Sequence, residues 1–186
     1  MPIYKFSLTL RNALAQSIID ACDAGSGACK LNFRSRSVGT WAGGRTYAVG
    51  DSVYANGKNY DCTTAGTSAG TAPTWPTSGT VTDGTAVWTE GGDAGADTLL
   101  GTLTASDPSA TKTNGIITFA AITQDAAADA SGKARRVVVT DSDDVTVMEL
   151  DVTHEAGTGA VKINTVTIFA GGPIQMNSFT ITMGGA

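Results

Sequence analysis

Hydrophobic and polar positions alternate along most of this chain with a period of two, and only one stretch breaks that rhythm. Leu10, Leu14, Ile18 and Cys22 recur at every fourth position, with Ala15 and Ile19 beside them and Arg11, Asn12, Gln16 and Asp20 opposite. This spacing predicts an amphipathic helix that buries the first set and stops near Gly25 or Gly27, where a positive φ costs little. The strand pattern begins at Lys30-Leu-Asn-Phe-Arg34, with Leu31 and Phe33 on the core face. It resumes over Leu99–Thr104 and Gly115–Ile122. Arg136–Thr140 and Val145–Leu150, joined by the acidic turn Asp141-Ser-Asp-Asp144, form the clearest hairpin. Residues 160–169 and Ile174–Met183 follow, the latter with Phe179 and Ile181 alternating with Ser178, Thr180 and Thr182. One helix with about eight short strands predicts a mainly β protein, an antiparallel β-sandwich of jelly-roll kind with the helix at its N-terminus.

Between Trp41 and Trp88 the texture changes. All three tryptophans and three of the four tyrosines fall there, among glycines that mark turns. Such a density of large rings predicts a small β module with its own core, inserted into a loop of the sandwich. The host is then residues 1–40 and 92–186, and the insert 41–91. Asn56-Gly57, between Val53-Tyr54 and Tyr60, is the preferred two-residue hairpin turn. Tyr47, Val53, Tyr60 and Trp88 are the expected module core. Trp41 and Trp75 sit among Gly, Pro and Thr and are the candidates for exposure, where flat rings can stack on the apolar face of a sugar. Core packing and sugar binding favour the same residues, and both readings stay open.

Composition narrows the function. The 186 residues carry 12 basic and 17 acidic side chains, a formal charge of -5 without a basic cluster, so nucleic acid is not an expected partner. Only 16% of residues are charged, the profile of extracellular or assembled β proteins. Three cysteines without CxxC spacing and a single histidine supply no zinc set, and neither metal nor cofactor is expected. Cys22 and Cys29 flank a glycine-containing turn and can either bridge or stay reduced. No apolar run long enough for a bilayer and no secretory leader pattern are present, which suggests a protein made soluble in the cytoplasm without membrane insertion.

Catalytic signals are weak. His154 reads as a strand or interface residue, with no nucleophile turn to serve. Asp141, Asp143 and Asp144 space alternate oxygens as a calcium loop does, yet lack its glycine and distal glutamate, so a solvated turn is favoured. Asp51, Asp61, Asp83 and Glu90 show no spacing that singles out a hydrolase pair. The expectation is a protein that is not an enzyme.

Two resemblances add to this reading. Trp41-Ala-Gly-Gly-Arg-Thr-Tyr47-Ala-Val-Gly50-Asp51-Ser-Val53 with Asn56-Gly57-Lys58-Asn-Tyr60-Asp-Cys62 resembles the small chitin- and cellulose-binding modules of family 5/12. That likeness implies a sugar platform that includes Trp41. The rings that follow the last tyrosine in that family are missing from Cys62-Thr-Thr-Ala-Gly66, and the Trp75 segment stands in their place. The ending Pro73-Thr-Trp75-Pro76, Asp83-Gly84-Thr and Val87-Trp88-Thr is similar to modules that decorate bacteriophage virion proteins. Lys30-Leu-Asn-Phe33, Thr98-Leu-Leu-Gly-Thr-Leu103-Thr-Ala-Ser-Asp107-Pro108 and Asn114-Gly115-Ile116 resemble small phage structural proteins. This implies a virion-surface protein that decorates or cements the capsid. Its partners would be the major capsid protein, other virion proteins and copies of itself in a trimer or other symmetric cluster. The alternative is an adhesion protein of the tail or its fibres that binds a glycan or receptor on the cell surface.

Overall fold

The computed structural model describes residues 6–36, 39–93, 97–154, 157–163, 165–176 and 178–184. The chain opens with α1 (Leu8–Cys22) and β1 (Lys30–Arg34). The ring-rich segment then supplies β2 (Thr46–Tyr47), β3 (Ser52–Ala55), β4 (Lys58–Thr64), β5 (Gly66–Thr67), β6 (Thr80–Asp83) and β7 (Ala86–Asp93). On return come β8 (Leu99–Ala105), β9 (Ala110–Thr113), β10 (Ile116–Phe119), β11 (Ile122–Thr123), β12 (Gly132–Lys133) and β13 (Arg136–Thr140). The last are β14 (Thr146–His154), β15 (Val161–Ile163), β16 (Thr167–Ile168) and β17 (Thr180–Thr182). Residue 164, within the strand expected over 160–169, lies outside the described residues. The host pattern breaks into more and shorter strands than the eight expected, because turns and bulges interrupt it.

The protein is mainly β and sandwich-like, with one N-terminal helix. Its largest sheet has the order β11, β8, β1, β13, β14, β15. Pairing is antiparallel throughout except between β14 and β15. The register sets Leu31 opposite Val139 and Phe33 opposite Val137, so one face of β1 and β13 is wholly apolar. Across from it, β17, β10 and β9 form a second sheet. The core between them holds Leu31, Phe33, Leu100, Leu103, Val137, Val139 and Val152 from the large sheet with Ile117 and Phe119 from the small one. Phe119 stacks on Phe179 with ring centroids 4.6 Å apart. Each of these larger side chains contributes about 1.5–3 kcal/mol by leaving water.

The helix requires a correction. Ser7 caps it, accepting a hydrogen bond from the Leu10 N–H. It ends at Cys22 with Asp23 as its C-cap, before either glycine. Its buried residues are Ala15, Ile19 and Cys22, whereas Leu10 and Leu14 are 44% and 39% exposed. Two of the four polar side chains expected to face solvent, Asn12 and Gln16, instead reach the small sheet, and the C-cap Asp23 reaches the loop before it, while Asp20 is exposed. Asn12 Oδ1 accepts from the Gly115 N–H at 2.7 Å, Lys112 donates to Gln16, and Asp23 accepts from the Ser109 N–H at 2.9 Å. These bonds rotate the helix about its axis and turn the leucines outward. Cys22 and Cys29 lie in contact as buried free thiols, with no bridge formed. Cys29 donates its proton to the Cys22 sulfur, which pushes the Cys29 thiol up and draws the Cys22 thiol down.

The ring-rich segment leaves and rejoins the host at paired positions. Ser35 N–H donates to the Thr98 carbonyl at 3.1 Å, and Thr98 N–H returns a bond to Ser35 Oγ at 3.0 Å. Asp97 binds Arg34 at 3.3 Å and also pairs with Arg136, itself held by Glu149 at 2.8 Å. The two stems are thus adjacent strands of the large sheet, β1 and β8.

Candidate functional site

The segment that carries the candidate residues builds a sheet of order β3, β4, β7, β6 beside the small pair β2 and β5. Asn56 and Gly57 both take positive φ, 48° and 78°, as the tight turn between β3 and β4 demands. That turn sets Val53 opposite Tyr60, and the β4–β7 pairing sets Cys62 opposite Trp88. Tyr47, Val53, Tyr60, Cys62 and Trp88 form a buried cluster separate from that of the host.

Trp41 and Trp75 are half-buried and pack on this cluster. Trp75 lies 4.5 Å from the Tyr60 ring and 6.1 Å from Trp88, while Tyr47 meets Trp88 edge-on at 4.7 Å. Trp41 is fixed through its indole, donating to Asp83 Oδ2 at 2.7 Å. Trp88 Nε1 donates to that same oxygen at 3.1 Å, and the Ala69 N–H donates to Asp83 Oδ1 at 2.8 Å. Asp83 is only 1% exposed, so one buried carboxylate ties two rings and a loop together. Gly84 follows it at φ 62°, and its missing Cβ leaves room for the Thr67 carbonyl. Tyr60 donates to the Pro76 carbonyl at 2.7 Å, closing the Trp75 loop over the cluster. Burial raises the Tyr60 hydroxyl above its usual range, and desolvation with help from Asp51 pushes the Cys62 thiol up to about 11. Among the described rings of the module the most open to solvent is Tyr54, on the opposite face of β3 from Val53.

Two further carboxylates seat the module on the host. Asp51 accepts from the Ala48 N–H at 2.8 Å and from both the amide and hydroxyl of Thr158, at 2.7–2.8 Å. Asp61 pairs with Arg135 at 3.0 Å and with Lys133 at 2.8 Å. Arg135 is 5% exposed and also donates to the Gly91 and Ser35 carbonyls, so its charge is compensated on several sides. Glu90 pairs with Lys58 at 3.0 Å.

All four carboxylates noted in the sequence thus serve as acceptors within the fold. Asp83 was hidden because Asp-Gly reads as a turn, and the Asp51 and Asp61 partners lie 107 and 74 residues away. His154 ends β14, exposed, beside Gly50 of the module. Asp141 caps its own turn, accepting from the Asp143 and Val145 N–H groups at 2.9 Å, and Asp144 pairs with Lys30 at 2.8 Å. Among the described residues no group of three or more His, Cys, Asp or Glu side chains is placed to hold a metal. Nor is any described helix long and apolar enough to cross a membrane. No protein-family model matches the chain, and no curated protein or solved structure matches it either.

Proposed function

We propose that this chain is a non-enzymatic structural protein of a bacteriophage virion that decorates the capsid surface through its host domain and displays the 41–91 module. The resemblances in the sequence are the starting point for this reading. The observation that carries it is the seating of the module. Asp51 and Asp61 fix it to Thr158, Lys133 and Arg135, and Asp83 ties its own rings together. A module held so rigidly suits display or added bulk on a lattice, where the partners are the major capsid protein and further copies of the same chain.

Cosedimentation of the purified protein with empty capsids and, separately, with isolated tails tests the proposal. Capsid binding that survives replacement of residues 41–91 by a short turn is the expected result. Binding to tails alone, or loss of all binding with the module, would overturn it. The second reading is glycan or receptor adhesion from a tail or fibre, and it is favoured by one observation: Trp41 and Trp75 are half-exposed, with Tyr54 more open still. It requires retention of the whole chain on cell-surface polysaccharide, abolished by Tyr54→Ala or Trp41→Ala in protein that remains folded.

A further inference from the structure

Two turns of this molecule carry the same dipeptide in the same conformation and differ in what surrounds it. Asn56-Gly57 joins β3 to β4 and Asn114-Gly115 joins β9 to β10, each as a two-residue hairpin loop. Their φ angles are close, 48° and 78° in the first and 53° and 76° in the second. Asn56 and Gly57 are both exposed, and among the described residues nothing accepts from the Gly57 N–H. A methyl group placed on Gly57 would meet no atom within 4 Å. Gly115 is buried instead, and its N–H donates to Asn12 Oδ1 of α1 at 2.7 Å. A methyl group there would strike Arg11 Cβ at 2.7 Å, so the helix closes that flank of the turn.

We infer that Asn56 is a site of spontaneous deamidation and that α1 guards Asn114 against the same reaction. The only co-reactant is water. The Gly57 backbone nitrogen attacks Asn56 Cγ, the Cγ–Nδ2 bond breaks, and the N–H proton leaves with the side-chain nitrogen as ammonia, closing a cyclic imide. Water then opens the imide at Cγ to give aspartate, or at the Asn56 main-chain carbonyl carbon to give isoaspartate. Nucleophile and target belong to adjacent residues, so no enzyme has to bring them together, and glycine offers its nitrogen with no side chain in the way. To attack, the backbone nitrogen must turn towards the side chain and lose its proton. The Gly57 N–H is free to do so, whereas that of Gly115 must first give up a buried bond to Asn12. Either product puts a new carboxylate on the module. Isoaspartate also lengthens the main chain by a methylene in the very loop whose length sets Val53 opposite Tyr60. The reaction thus marks the age of the module at the turn that fixes its core register. This inference goes beyond the virion reading and does not rest on it.

Peptide mapping by mass spectrometry of the full chain, held at mildly alkaline pH and sampled over weeks, reads both sites in one sample. Aspartate and isoaspartate are expected to accumulate in place of Asn56 about tenfold or more faster than in place of Asn114, the ratio that a barrier difference of about 1.4 kcal/mol produces. The same chain in concentrated urea is the reference. There the two Asn-Gly pairs should react at similar rates, because the fold that distinguishes them is gone. Asn12→Ala takes the acceptor away from Gly115 and should speed the loss of Asn114 while leaving Asn56 as it was. The wild-type comparison does not depend on that variant folding. No product at Asn56, equal rates at the two sites in the folded chain, or a gap that persists in urea would overturn the inference. A folded Asn12→Ala whose Asn114 reacts as slowly as before would overturn the guard assigned to α1.

Discussion

Two indole N–H groups end on one oxygen of Asp83, a residue only 1% exposed. Asp83→Ala strands the Trp88 donor in the core and frees Trp41. It should therefore destabilise the module by about 3–5 kcal/mol, visible as an early tryptophan-fluorescence transition in urea. A loss well under ~1 kcal/mol would show that the carboxylate is not the tie described. Cys62 gives a pH test. Its folded thiol titrates near 11 against an ordinary value of 9.0, so between these values the unfolded chain holds fewer protons than the folded one. Stability from this group is fully present below pH 9 and declines as the pH rises towards 11. Cys62→Val should flatten that part of the alkaline stability curve, and an unchanged slope would assign the loss to other groups. The buried positions of the module are legible from alternation, since Val53, Tyr60 and Trp88 sit where large rings and β-branched residues fit a half-buried face. Asp83 is not, because a turn aspartate and a core ligand of two indoles are written with the same letters.

At the scale of elements, α1 shows how a period differs from an orientation. Its apolar repeat is plain, yet Ala15 and Ile19, not Leu10 and Leu14, enter the core. Bonds from Asn12, Gln16 and Asp23 to β9, β10 and their loops decide the rotation, and these partners lie about a hundred residues downstream where no local pattern can register them. The Asp51–Thr158 contact is of the same kind. Thr158→Val removes the hydroxyl from a buried carboxylate while leaving the backbone bond, at a cost of roughly 1–3 kcal/mol. The expected result is faster amide hydrogen exchange through β3 and β4, with β1, β8 and β13 as protected as before. Exchange that rises equally in both groups of strands would mean that the module and host open as one unit.

For the whole molecule, the mainly β class and the single helix follow from the sequence because short alternating runs bounded by turn residues admit little else. Strand order does not, since β1 enters the sheet between β8 and β13 and all three are separated by long stretches of chain. The paired stems carry a mechanical consequence. A load pulling the module off the host enters through Ser35 and Thr98, at one end of the β1–β8 ladder, where bonds would open singly like a zip. Arg135, which also holds the Ser35 carbonyl, braces that stem, while the attachment at Thr158 passes load to the loop after β14. Under tension the module should therefore hold until those two anchors fail, then release abruptly. If the module is displayed on a virion as proposed, shear would leave it in place up to a threshold force rather than stripping it by degrees.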